Sequence, residues 1–90
     1  MRAITKKAVD ALLRGEDFRL SNTEVKDGQM FLFGNMIAEK IGNSIYIDTT
    51  GWWTRTTIER LNGFGGPSIH TKKGKLYRGS ELWDGKRIKL

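Results

Sequence analysis

The sequence predicts an α+β fold in which an N-terminal helix, an antiparallel meander and a short second helix are followed by further short strands in a curled sheet or small barrel. Apolar residues recur at helical spacing near the N-terminus and again after the tryptophan pair, whereas most other segments alternate apolar and polar residues. Turn residues that include glycine separate these alternating segments at short intervals. A chain of 90 residues builds one small core, so we treat residues 1–90 as a single domain.

The first predicted element is a short amphipathic helix that starts at Thr5, the expected N-cap, and stops at Gly15, which accepts a left-handed backbone. Its apolar positions fall on one stripe at helical spacing: Ile4, Ala8, Val9, Leu12 and Leu13. A helix of this length is marginal on its own. We therefore expect the stripe to pack against the sheet.

A meander of four strands is predicted next, at residues 18–25, 29–33, 36–41 and 44–49. The turns between them contain glycine, which supplies the positive φ that tight hairpins need: Lys26-Asp27-Gly28, Gly34-Asn35 and Gly42-Asn43. The segment from Met30 to Phe33 is apolar on both faces. We therefore expect this strand to be central, with Phe31 in the core and the helix or a barrel closure over one side.

Residues 52–63 interrupt the sheet with a predicted two-turn helix. Thr56 and Glu59 have the spacing of a capping box. Leu61 follows Ile58 by three positions, which places it in the core, and Gly63 ends the helix. Strands are then predicted at residues 68–72, 75–78, 81–83 and 86–90, with turns at Lys73-Gly74, Gly79-Ser80 and Asp84-Gly85.

The net charge of +6 is confined to one half of the sequence. Residues 1–53 hold seven basic and seven acidic residues, whereas residues 54–90 hold nine basic and three acidic residues. A one-sided basic surface attracts nucleic acid, an acidic protein surface or anionic lipid, and charge alone does not choose among them. The same excess is also typical of an ordinary solvated face.

The basic residues are densest between Ile69 and Arg78, where they alternate with apolar residues. The residues predicted to point inward are Ile69, Thr71, Leu76 and Trp83. The opposite, outer face then carries the predicted partner-binding residues, which are Lys72, Lys73, Lys75, Tyr77 and Arg78. Basic strands with an exposed aromatic ring suit phosphate binding and base stacking. Edge strands that are protected by lysine have the same pattern.

Trp53, Thr54 and Arg55 form a second candidate contact segment, which we expect to adjoin the basic hairpin. Hydroxyl groups and an arginine at a helix start can hold a phosphate or a carboxylate, although threonines there also serve simply as caps. Two adjacent indoles on an extended backbone point in opposite directions. We expect Trp53, beside Arg55, to be exposed and Trp52 to anchor the core.

Several function classes receive no support from the sequence. The chain has no cysteine, which excludes disulfides, thiol catalysis and thiolate metal sites, and it has a single histidine. His70, a serine and an aspartate could form a triad, but no nucleophile motif places them together. We therefore predict no enzyme activity, no cofactor and no metal. Apolar runs are far shorter than the roughly 20 residues that span a membrane, and the first residues do not resemble a signal peptide, so we expect a soluble intracellular protein.

Several segments resemble small accessory proteins that are encoded by tailed bacteriophages. These segments are Asn22-Thr23-Glu24-Val25, Gly34-Asn35-Met36-Ile37-Ala38, residues 51–63, Lys73-Gly74, Tyr77 and Trp83-Asp84-Gly85. They are turn, cap and core positions, so no catalytic residue is carried over. The resemblance implies a phage product of the host-takeover or anti-defence type that works in the cytoplasm of a bacterial host, and such products often act by binding.

We therefore expect a non-enzymatic binding protein that inhibits or redirects a host or defence macromolecule, for example as an anti-CRISPR-like inhibitor, through its basic and aromatic surface. The expected partner is a host or defence-system protein or nucleoprotein, contacted at or near a nucleic-acid-binding surface, and no membrane. The alternative is a small basic module that itself binds DNA or RNA. Short sheets with exposed edges are also compatible with a homodimer.

Overall fold

The computed structural model describes residues 2–90, and these form two helices and nine strands in an α+β arrangement, which confirms the predicted fold class. The elements are α1 (Ala3–Arg14), β1 (Phe18–Leu20), β2 (Thr23–Lys26), β3 (Gln29–Leu32), β4 (Asn35–Ile41), β5 (Ser44–Ile47), α2 (Arg55–Asn62), β6 (Ile69–Lys72), β7 (Lys75–Arg78), β8 (Glu81–Leu82) and β9 (Ile88–Lys89). One antiparallel sheet has the order β1-β2-β3-β4-β5-β9, and a second has the order β6-β7-β8. Neither helix of the described residues has the length and apolar character needed to cross a membrane.

The first helix ends as predicted but begins earlier. Gly15 takes the left-handed conformation at φ 74°, and its N–H group bonds to the last turn. Arg2, with extended backbone, is the N-cap residue and makes no side-chain cap. Thr5 lies inside α1 and is buried, so its predicted role as N-cap is wrong. Its hydroxyl instead contacts α2, as described below. Leu13, predicted on the apolar stripe, is exposed.

The predicted strand at residues 18–25 is in fact a hairpin of β1 and β2. Ser21 in its turn takes a left-handed backbone at φ 55°, so this turn has no glycine to mark it in the sequence. The turn after β3 is formed by Phe33 and Gly34, one position earlier than predicted, so β4 begins at Asn35. The other meander turns, which include Asp27-Gly28 and Gly42-Asn43, are confirmed.

One face of the larger sheet packs on α1. The strand register aligns four buried residues across β2 to β5 on this face: Val25, Met30, Ala38 and Ile47. Phe31 follows Met30 and therefore lies on the opposite face, in register with Glu24, where it is half-buried. The prediction that Phe31 is a core residue is therefore wrong, and Met30 holds that place in the core.

The second helix is capped by Thr54. The Thr57 N–H group donates to Thr54 Oγ1 at 3.2 Å, and the Thr54 N–H group donates to Thr57 Oγ1 at 3.2 Å. This is a reciprocal capping box two positions before the predicted one, so the assignment to Thr56 and Glu59 is wrong. Glu59 turns its carboxylate toward α1 instead.

Gly63 follows α2 with a right-handed backbone, at φ −63°. A Cβ atom there would lie 2.5 Å from Thr5 Cγ2 and 3.0 Å from Val9 Cγ2. The end of α2 therefore approaches α1 closely, and the lack of a side chain at Gly63 allows the two helices to pack. The buried residue Leu61, as predicted, lies in the core beside this contact.

The smaller sheet is attached to the end of α2 through Asn62. The Asn62 side chain donates from Nδ2 to the Ile69 carbonyl at 2.8 Å, and the Ile69 N–H group donates to Asn62 Oδ1 at 2.7 Å. Ile69 and Leu76 are buried and join the same core cluster as Leu12 and Met30. The two sheets and two helices therefore share one core.

Candidate binding surface

Arg60, one of the basic residues of the second half, lies inside the protein and is 1% exposed. Its Nε donates to Thr23 Oγ1 at 3.1 Å, and its Nη1 donates to Thr5 Oγ1 at 2.8 Å. Nη1 also pairs with the Glu59 carboxylate, and Nη2 donates to Asn22 Oδ1 at 3.4 Å. Arg60 therefore links α1, α2 and the β1–β2 turn, and it is not available to a partner.

Arg87 is held on the face of the larger sheet that α1 does not cover. Its Nη2 donates to Glu39 Oε1 at 2.8 Å, and its guanidinium carbon lies 4.5 Å from the centroid of the Tyr46 ring. Gln29 Nε2 donates to the other Glu39 oxygen at 3.1 Å. Within residues 2–90, ion pairs thus engage two of the nine basic residues in the second half of the chain, Arg60 and Arg87.

The hydrogen bond from Gln29, together with the hydrogen bond and charge of Arg87, holds the pKa of Glu39 below its ordinary value of 4.5, against a smaller desolvation effect. Because this pKa is lowered by folding, the stabilising contribution of Glu39 is present above the unfolded-state pKa and is lost as the pH falls through the folded-state pKa. We expect Arg87→Ala to raise the pKa of Glu39 toward the ordinary value. A carbon-13 NMR titration of the side-chain carboxyl measures this, and an unchanged pKa in Arg87→Ala would contradict the contact.

Exposed basic residues gather on the hairpin of β6 and β7. His70 lies opposite Tyr77, and Lys72 lies opposite Lys75. Because side chains alternate along a strand, these four residues share one face, opposite to the face that buries Ile69. The His70 and Tyr77 rings stack with centroids 5.7 Å apart and planes 10° apart.

This outer face continues onto β8 and ends at a lysine tip. Leu82 lies opposite Tyr77 and is 64% exposed, so it adds an apolar side chain beside the two stacked rings. Lys73 and Gly74, at φ 53° and 77°, form the tight turn between Lys72 and Lys75. We define the outer hairpin face as His70, Lys72, Lys73, Lys75, Tyr77 and Leu82.

Arg78 does not belong to the outer hairpin face, so that prediction is wrong. The two-residue turn fixes the register in which Arg78 lies opposite Ile69, on the inner face. Arg78 is half-buried, and its Nε is buried without a hydrogen-bond partner among residues 2–90. Thr71, predicted to be inward, is opposite the buried Leu76 but is itself exposed near the hairpin tip.

The structure reverses the predicted roles of the two adjacent tryptophans. Trp52 is 62% exposed, whereas Trp53 is half-buried and packs against the core. With Thr54 as N-cap, Trp53 and Ile58 occupy the two positions of a hydrophobic staple, and both pack against the core. The expectation that one indole is exposed and the other packs on the core therefore holds, but the assignment is reversed, because the helix start at Thr54 places Trp53 in the staple position.

Thr54 and Arg55 are placed at the other end of α2 from the smaller sheet. The Thr54 hydroxyl is engaged in the capping box, while Arg55 is exposed. Asn62, which holds β6, is at the opposite end of this helix, about 12 Å along its axis. Arg55 therefore remains a candidate contact residue, separate from the outer hairpin face.

Trp53→Ala is expected to lower the free energy of unfolding by about 1–3 kcal/mol, because it removes a side chain that packs on the core. Trp52→Ala is the matched control and should change it by less than about 0.5 kcal/mol, since its indole is mostly exposed. Urea unfolding of the two variants measures the difference. Equal losses of stability would mean that the two indoles are not placed as described.

His70 and Leu82 are members of the face that the sequence did not assign to it. The positions of the two turns, Lys73-Gly74 and Gly79-Ser80, determine both assignments. A two-residue turn at Lys73-Gly74 pairs Tyr77 with His70, and one at Gly79-Ser80 pairs Tyr77 with Leu82. The turn positions in the sequence were therefore sufficient to predict that His70 and Leu82 share a face with Tyr77.

Comparison with known proteins identifies a matching family. The family model described as Kyanoviridae Gp96 protein matches residues 1–86. This range includes both helices and the whole outer hairpin face. No curated protein and no solved structure matches the chain.

Proposed function

The chain belongs to the Kyanoviridae Gp96 protein family, a family of phage proteins, and from that premise we propose that it is a non-catalytic accessory protein that binds a macromolecule of the infected cell. In this proposal it inhibits or redirects a host or defence-system protein or nucleoprotein, in the manner of an anti-CRISPR inhibitor. It works in the host cytoplasm, and the outer hairpin face is its contact surface.

The observation that carries the proposal is the direct opposition of Lys72 and Lys75 next to Lys73. Like charges directly opposite each other on two strands destabilise a hairpin. No acidic residue occurs between positions 60 and 80 to offset them. An anionic partner surface would relieve this repulsion, so the opposed lysines are expected to be more stable in a complex than in the free protein.

The rest of the face suits a macromolecular contact. Tyr77 and Leu82 add apolar area beside the lysines, and the stacked His70 ring limits the motion of Tyr77. Aromatic side chains that are already ordered lose little conformational entropy on binding. Exposed apolar groups rimmed by charge are typical of interaction sites.

Site-specific photo-crosslinking in infected cells tests the contact surface. A benzophenone amino acid replaces Leu82 in one variant and Leu20 in the other. Leu20 is the matched control because it is a leucine, is 50% exposed and lies on the edge strand of the larger sheet. We expect a covalent adduct from position 82 and none from position 20. An adduct from position 20 alone, or equal adducts from both, would contradict the proposed surface.

A further inference from the structure

We propose that the outer hairpin face holds single-stranded nucleic acid, with lysines on the phosphates and a base stacked on His70; this inference rests on the proposed function of that face. Two features of the face carry it: the free side of an aromatic stack, and a lysine tip without arginine or acid.

The aromatic row leaves one ring face open. Tyr77, on the central strand β7, lies between His70 on β6 and Leu82 on β8. His70 is exposed and its ring stacks on Tyr77 on one side, while no strand of this sheet lies beyond β6 on the other side. Its Nδ1 also lies 3.3 Å from the Ser68 carbonyl oxygen, which helps to fix the ring. A fixed aromatic ring with a free face is a platform on which an unpaired base stacks.

The phosphate contacts lie next to this platform. Lys72 is two residues from His70 on the same face of β6, about 7 Å along the strand. Lys75 lies directly across from Lys72, and Lys73 follows in the turn. A strand whose base stacks on His70 can therefore present consecutive phosphates to three ammonium groups.

The type of cation favours phosphate over an acidic protein surface. Protein–protein contact surfaces are depleted in lysine, whereas lysine is a regular phosphate ligand that acts as a point charge, even though arginine is the more common residue at bidentate phosphate contacts. The four arginines of this half of the chain are placed elsewhere: Arg60 is buried, Arg87 is paired with Glu39, Arg78 is on the inner face, and Arg55 is at the far end of α2. All three free cations of the hairpin tip are lysines.

A single strand suits the face better than a duplex. Stacking on His70 requires a base whose own ring face is accessible, and bases within a duplex are covered by their neighbours. With three phosphate contacts, the logarithm of the association constant should fall with the logarithm of salt concentration with a slope of about −2. Binding of this kind tolerates many sequences, since every base has a ring face.

Fluorescence anisotropy with labelled twelve-nucleotide oligothymidine, oligouridine and a DNA duplex, from 50 to 200 mM NaCl, tests the inference. We expect the single strands to bind more tightly than the duplex, with a salt slope of about −2. His70→Ala should weaken binding about tenfold, while His70→Phe, which keeps a ring, should restore it. Lys72→Gln with Lys75→Gln should reduce the slope to about −0.7, the value for one remaining phosphate contact.

Equal binding of the duplex, or binding that neither set of variants changes, would overturn the inference. So would a lack of binding at 50 mM NaCl by protein whose thermal unfolding is normal. If the oligonucleotides do not bind but position 82 crosslinks to a protein in infected cells, the nucleic-acid inference fails and the proposed function stands. If position 82 gives no adduct either, both fail.

Discussion

Arg60→Ala is expected to lower the free energy of unfolding by about 3–5 kcal/mol, because it removes the buried member of an ion pair together with its hydrogen bonds to two buried hydroxyls. The substitution leaves the Glu59 carboxylate without its cation and removes donors from the buried hydroxyls of Thr5 and Thr23. In a domain of this size the melting temperature should fall by at least about 12 °C. Thermal unfolding followed by circular dichroism measures the change.

Arg55→Ala is the matched control, since Arg55 is an exposed arginine on the same helix. It should change the stability by less than about 0.5 kcal/mol. If Arg60→Ala does not fold, Arg60→Lys, which keeps the charge but loses the planar set of donors, should fold with a lower melting temperature than the unmodified chain. A melting temperature of Arg60→Ala or Arg60→Lys equal to that of Arg55→Ala would contradict the buried network.

The double substitution Lys72→Glu with Lys75→Glu is expected to abolish partner binding and to leave the fold intact. Both side chains are exposed, and the turn at Lys73-Gly74 is unchanged. Two opposed glutamates repel each other much as two opposed lysines do, so the stability should change little. The sign of the charge offered to an anionic partner, however, is reversed.

Lys6→Glu with Lys7→Glu is the matched control for this pair. Both lysines are exposed on α1, and the double substitution makes the same change in net charge on a different element. Binding should persist in this control. If both double variants lose binding equally, binding depends on the overall charge of the protein, and the outer hairpin face is not its specific contact surface.

Sequence patterns predicted several, though not all, of the features of this fold that depend on local backbone chemistry. The glycine turns at Asp27-Gly28, Gly42-Asn43 and Lys73-Gly74 are present because few other residues accept their left-handed backbone at low cost. Once the last of these turns is placed, alternation fixes which hairpin residues face outward. The lysine and tyrosine part of the outer hairpin face was therefore predictable.

The features that depend on distant contacts were not predictable in this way. Thr5 looked like a helix cap, but its hydroxyl is needed by Arg60, which is 55 positions away in sequence. Arg60 was counted only in the basic excess of residues 54–90, because no nearby residue in the sequence indicates the hydroxyl groups that surround it. Trp53 packs on the core because the helix starts at Thr54, and that start competes with a second plausible cap at Thr56.

The central claim, that the outer hairpin face is the contact surface, is tested most directly by the yield of photo-crosslinked adduct from position 82 in infected cells. The yield is compared in three backgrounds: the unmodified chain, Lys72→Glu with Lys75→Glu, and Lys6→Glu with Lys7→Glu. We expect the adduct from the first and third and none from the second. An adduct that persists with Lys72→Glu and Lys75→Glu, in protein whose fold is intact, would contradict the claim.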